Sequence, residues 1–208
     1  MSAKETISAI VDAEKEAAKM LFGLAVAISA FPLLLRLPAK PFGIVIDISE
    51  FGFSFLILVS VWLGYWNIVS VLPMEDNTIV ALNIGLLFLV SIEPYLFYLN
   101  IIFDLSEHAI LLNYASILYA LDMSGLMLIL ALFTYELARE ERGLVPADLI
   151  AQYKRGRDSL FISAGLFLVT VMPFFWSIKV QNLPLRFCFW LIPLAISFAM
   201  RVSDRFHK

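Results

Sequence analysis

Residues Ala17–Leu37 read AAKMLFGLAVAISAFPLLLRL, the first of six apolar runs long enough to cross a bilayer. The run is rich in small residues, has Ser29 near its middle, and carries Pro32 one turn later. At about 100° per residue, Phe22, Val26, Ser29 and Leu33 fall on one stripe of a helix. Gly23, Ala27 and Ala30 form a second stripe beside it, where another helix can approach closely.

The rest of the composition fits that reading. Hydrophobic residues make up 61% of the 208-residue chain and the mean hydropathy is +0.87, against about 45–50% apolar in soluble domains. One core cannot bury that much apolar surface, and the excess comes in blocks separated by short charged connections, as in a helical membrane bundle. A formal charge of −3 with no basic cluster interleaved with aromatics argues against a nucleic-acid partner. The single cysteine, Cys188, permits no intrachain disulfide and reads as a small core residue.

The expected architecture is an all-α integral membrane protein. Residues 1–16 form an amphipathic lead-in, with acidic and basic residues mixed in a way that does not suit a signal peptide. The spans are expected at 17–37, 51–72, 78–99, 109–133, 159–178 and 187–202, followed by a short tail over 203–208. Pro32 bends the first span, because the Ile28 carbonyl loses its partner. Glu93 precedes Pro94, which disfavours the helical conformation at Glu93 and predicts a break near the end of the third span. The segment 136–158 is the longest polar stretch and has room for a short surface helix. The sixth span is the shortest, and Arg186 and Arg201 are expected to snorkel and lengthen it.

Orientation follows from the basic residues. With the N-terminus inside, Lys4, Lys15, Lys19, Arg139, Arg142, Lys154, Arg155, Arg157, Arg201, Arg205 and Lys208 lie on one side. The other side holds Arg36, Lys40, Lys179 and Arg186, a split of eleven against four. Both termini are therefore expected to be cytoplasmic.

Two polar residues, Asn83 and Asp122, lie deep in spans three and four, and Glu93 lies late in span three. A mid-membrane aspartate costs about 2.5–3.5 kcal/mol on insertion scales, so Asp122 must face protein or water. It reads either as a cation or proton site, or as an interhelical hydrogen-bond partner of Asn83. Glu93 reads as a residue at a helix end or as a gate. No serine-hydrolase elbow, zinc motif or glycine-rich phosphate loop is present, so no enzyme is expected. The two histidines, His108 and His207, fall in a connection and at the tail, so neither a metal site nor a cofactor is expected. In the first span, Val26 and Leu33 place aliphatic layers around the Ser29 hydroxyl. Repeated about an axis, such layers make a narrow path with a dewetting gate. The other reading is that Ser29 bonds back to its own helix.

The run TIVALNIGLLFLVS, Thr78–Ser91, resembles the third span of the transmembrane protein 175 family of potassium channels, including the Leu82–Asn83 pair and the trailing Pro94. SFLILVSVW, Ser54–Trp62, is similar to that family's second span, and ILYALDMSGLML, Ile117–Leu128, to its fourth. The resemblance implies six spans with both termini inside. It also implies a homotetramer whose first spans line a pore for monovalent cations, potassium favoured. Ser29 matches the family's pore hydroxyl layer, and Val26 and Leu33 its aliphatic constrictions. The family's Phe-Ser-Asp positions read Lys19-Met20-Leu21 here, and its tandem histidines fall on Tyr65-Trp66. The expected setting is a lipid bilayer, the plasma membrane of a prokaryote. An ion-coupled transporter using Asp122 and Glu93, and a non-conducting membrane scaffold, are the alternative readings.

Overall fold

The computed structural model describes residues 3–30, 41–69, 71–72, 76–102, 109–180 and 183–206. Leu33, Pro32, His108 and His207 lie outside them, as do the connections around them. The chain divides into two compact units, Met1–Ile101 and Ile102–Lys208.

The first unit holds α1 (Ala3–Ser29), α2 (Pro41–Val69) and α3 (Asn77–Ile102). The polar lead-in continues without a break into the first apolar run, as one helix to Ser29. The second span begins ten residues earlier than expected, so that Asp47 and Glu50 are helical rather than flanking. The third helix passes through Pro94 without interruption. The break expected at Glu93 is absent, and Glu93 and Pro94 are both buried. Proline removes one backbone donor, but here the preceding carboxylate has an interhelical partner that keeps its turn in the packed part of the helix.

The second unit begins with α4 (Ala109–Leu137), and a single 3-10 turn (Glu140–Arg142) follows. Gly143 closes that turn at φ +58°, where its N–H bonds the Glu140 carbonyl; the left-handed conformation there suits glycine. Then come α5 (Ala147–Val169), the one-turn α6 (Phe174–Ser177) and α7 (Leu185–Phe206). Between the last two, β1 (Lys179–Val180) pairs antiparallel with β2 (Leu183–Pro184) in the register Lys179↔Pro184.

The surface helix expected within 136–158 and the fifth span are therefore one helix, α5, which starts twelve residues before Ser159. Its first half, ADLIAQYKRGRD, is polar and its second half apolar. A sequence window centred on the apolar half misses the shared helix. Helices α4 and α5 run antiparallel. The Ser124 hydroxyl donates to the Ala164 carbonyl at 3.0 Å, and a Cβ at Gly156 would meet Thr134 Cγ2 at 3.9 Å. The small residues at 156, 163 and 164 let the two backbones approach, as in membrane helix pairs.

Among the described residues, three helices are long and apolar enough to cross a membrane: Phe51–Val69, Asn77–Asn100 and Ile110–Leu137. Their outward residues are apolar, including Ile84 and Phe88 on α3 and Leu118 and Leu121 on α4. A soluble protein does not leave such a surface to water, so a membrane location follows.

Candidate functional site

Helix α1 packs against α2 through Ala18, Phe22, Ala25 and Ser29, which are all buried. The spacing 18, 22, 25, 29 is one helical stripe. Phe22, 2% exposed, stacks against Tyr65 of α2 with ring centroids 5.5 Å apart. Ser29, 4% exposed, donates its hydroxyl to the Val26 carbonyl at 2.7 Å. The same bond to the preceding turn is made by Ser49, Ser91, Ser116 and Thr134, the usual resort of a hydroxyl in an apolar helix.

The expected stripe is thus divided. Phe22 and Ser29 lie on the covered side of α1, Val26 is half-buried at its margin, and Leu33 lies outside the described residues. The uncovered side carries Met20 (73% exposed), Gly23, Leu24 (56% exposed), Ala27 and Ile28. A Cβ placed on Gly23 meets nothing within 4 Å. Of the second stripe of small residues, Gly23 and Ala27 are exposed among the described residues, while Ala30 is half-buried.

Tyr65 ties the first unit together. Its hydroxyl donates to the Asn83 amide oxygen of α3 at 2.7 Å while its ring packs on Phe22. Within the first unit, Tyr65 is thus a partner of Asn83; Asp122, its expected partner, belongs to the second unit. Further along the same helix pair, the Ser54 hydroxyl donates to the Glu93 carboxylate at 3.3 Å, and both residues are fully buried. Glu93 lies inside α3 rather than at its end, and it is buried. Neither Tyr65 nor Ser54 was singled out by polarity along the sequence, since each lies in an apolar run whose partner is 18 or 39 residues away.

In the second unit, Asp122 is 4% exposed, and among the described residues neither carboxylate oxygen has a hydrogen-bond partner. Trp190 of α7 donates its indole N–H to Thr170 Oγ1 at 3.1 Å and packs on Tyr119, 4.7 Å between ring centroids. Arg186 is 1% exposed rather than snorkelling. Its Nη1 donates to Asn113 Oδ1 at 3.0 Å and its guanidinium lies 5.3 Å from the Phe187 ring centroid. A partner amide and an aromatic face hold it in the fold, where a bare helix end would have let it reach water. Among the described residues no group of three or more His, Cys, Asp or Glu side chains is placed to hold a metal.

The fold has a known counterpart. The structure is similar to the crystal structure of a lysosomal potassium-selective channel TMEM175 homolog from Chamaesiphon minutus. The TM-score is 0.59 at 16% identity, over 92% of this chain and 98% of that one. The fold is therefore TMEM175-like, as the resemblance of spans two to four implies. No family model matches the chain, and no curated relative matches it.

Proposed function

We propose that the protein is a potassium-permeable cation channel, a homotetramer whose α1 helices surround a shared path, with six spans and both termini cytoplasmic. The observation that carries this reading is the uncovered side of α1, within a fold shared with a potassium-selective channel homologue. Met20, Leu24, Ala27 and Ile28 are exposed among the described residues, and Gly23 and Ala27 let backbones approach. Val26, at the margin of that side, supplies an aliphatic ring narrow enough to dewet, and Leu33, later in the sequence, is proposed as a second. Phe22 braces α1 against Tyr65. Ser29 spends only its hydroxyl hydrogen on the Val26 carbonyl and keeps its oxygen lone pairs for an ion, but it is buried, so it lines the path only where α1 turns that side toward the axis.

The test is potassium flux into liposomes holding the purified chain. Wild type conducts, and Val26→Asn, which wets the constriction, conducts more. Silence from both, in protein shown to be tetrameric, overturns the proposal. Ser29→Ala is read alongside: an unchanged potassium-to-sodium ratio fits the buried position of Ser29, and a reduced ratio returns the hydroxyl to the path.

One observation favours a carrier instead. Asp122 is buried with both carboxylate oxygens lacking hydrogen bonds, the state of a residue that binds and releases a proton or cation. A carrier loses flux in Asp122→Asn and shows no single-channel events.

A further inference from the structure

At the end of the span Ile110–Leu137, a surface groove of about 450 Å³ opens between α4 and α5, lined by Leu132, Tyr135, Arg157, Asp158 and Phe161. That volume falls within the range of roughly 300–1,000 Å³ typical of small-molecule sites. The lining is graded along the helices. Leu132 on α4 and the partly exposed Phe161 on α5 lie on the span side, while Tyr135, Arg157 and Asp158 lie nearer the polar connection. Apolar walls on the bilayer side and a charged rim at the water side match the two ends of a lipid.

The charges at the rim have a specific pattern. Arg157 donates from both Nε and Nη2 to the same oxygen, Asp158 Oδ1, at 2.8 and 2.7 Å. Among the described residues, Arg157 Nη1 and Asp158 Oδ2 carry no hydrogen bond. The guanidinium also lies 5.9 Å from the Tyr135 ring centroid. A partly exposed guanidinium and carboxylate on adjacent residues thus line the groove together. An anionic headgroup meets the arginine but is repelled by the carboxylate. A headgroup carrying a phosphate and a primary ammonium satisfies both, the phosphate at Nη1 and the ammonium at Oδ2.

The geometry points to a binding site for a zwitterionic aminophospholipid, phosphatidylethanolamine in class, with an acyl chain along Leu132 and Phe161 and the headgroup on the Arg157–Asp158 pair. This inference rests on the membrane location alone and stands whether or not the chain conducts.

The test is native mass spectrometry of the full chain released from detergent, with dioleoyl-phosphatidylethanolamine and dioleoyl-phosphatidylglycerol added in turn. Wild type retains the ethanolamine lipid about tenfold better, a difference of ~1.4 kcal/mol. Asp158→Asn abolishes the preference, and Leu132→Trp, which fills the groove, releases both lipids. Equal retention by wild type, a preference for the glycerol lipid, or a preference surviving in Asp158→Asn overturns the proposal. Should Asp158→Asn fail to fold, Leu132→Trp decides: ethanolamine lipid retained with the groove filled is bound elsewhere.

Discussion

Lys19 holds its ammonium 4.8 Å from the centroid of the Trp66 ring, joining α1 to α2. Both residues occupy positions where the sequence departs from the family it resembles: Lys19 opens the triplet in place of Phe-Ser-Asp, and Trp66 stands for the second of the tandem histidines. The two departures meet in space. The α1–α2 contact is thus made by a cation over an aromatic face, with Glu16 as a further partner of the ammonium.

That contact is exposed and small. Exposed cation–π pairs are worth about 0.5–1 kcal/mol, so Trp66→Leu lowers thermal stability in detergent only slightly. Lys19→Gln has the same modest effect. A double-mutant cycle between them, read from melting curves, gives a coupling of that order. Additive effects would mean that the two side chains act independently.

Tyr65 is the more costly position. Its hydroxyl is the donor to a buried Asn83, and a buried polar group left without its partner costs about 1–3 kcal/mol. Measured interhelical bonds within membranes average about 0.6 kcal/mol, with a maximum near 1.7. Tyr65→Phe keeps the ring stack on Phe22 and removes only the bond, so it falls in this lower range. Tyr65→Leu loses the aromatic pair as well, about 0.5–1.5 kcal/mol more. Thermal melts of the two variants separate the contributions.

Asp122 points the other way. A buried carboxylate without hydrogen bonds weakens the fold, so Asp122→Leu raises the melting temperature, by the equivalent of about 1–3 kcal/mol. In a channel the variant conducts as before. A stabilised variant that has lost flux would move the function to Asp122 and to the carrier reading.

In the polar connection, Lys154 donates to Glu140 at 2.8 Å and holds its carboxyl below the usual carboxylate range. A depressed folded-state value means the contribution is present above the unfolded pKa and is lost as pH falls through the folded one. Because Glu140 is fully exposed, the effect on stability is slight. Carbon NMR titration of the Glu140 carboxyl therefore shows an upward move in Lys154→Ala, with little change in melting temperature.

The apolar blocks were legible in the sequence because bilayer thickness dictates their length, and three appear as helices that can span it. Their ends were less legible. Helices α1 and α5 each fuse a polar segment to an apolar one, and hydropathy windows divide what hydrogen bonding joins. Partner choice was the least legible. Asn83 and Asp122 attract attention as polar residues in neighbouring spans, yet the donor to Asn83 is a tyrosine that an apolar run conceals. Glu93 looked interfacial beside Pro94, but Ser54, 39 residues earlier, gives it a buried place. The stripe on α1 divides, with Phe22 and Ser29 buried and Val26 half-buried. Which of its neighbours α2 covers depends on the Phe22–Tyr65 stack, and no spacing on α1 encodes that.

The uncovered side of α1 yields the prediction on which assembly turns. A Cβ at Gly23 has open space within the chain, so Gly23→Leu leaves the single subunit's helix content and packing unchanged. If α1 helices meet across an axis, the added side chain lies where two backbones must approach, and close approach is the reason small residues occupy such interfaces. Ala27→Leu, one turn away, acts in the same sense. Light scattering on detergent-solubilised protein then shows wild type as a tetramer and Gly23→Leu as smaller species, with unaltered circular dichroism. A tetramer that survives both substitutions would place the subunit contact on another helix and leave this side of α1 to lipid.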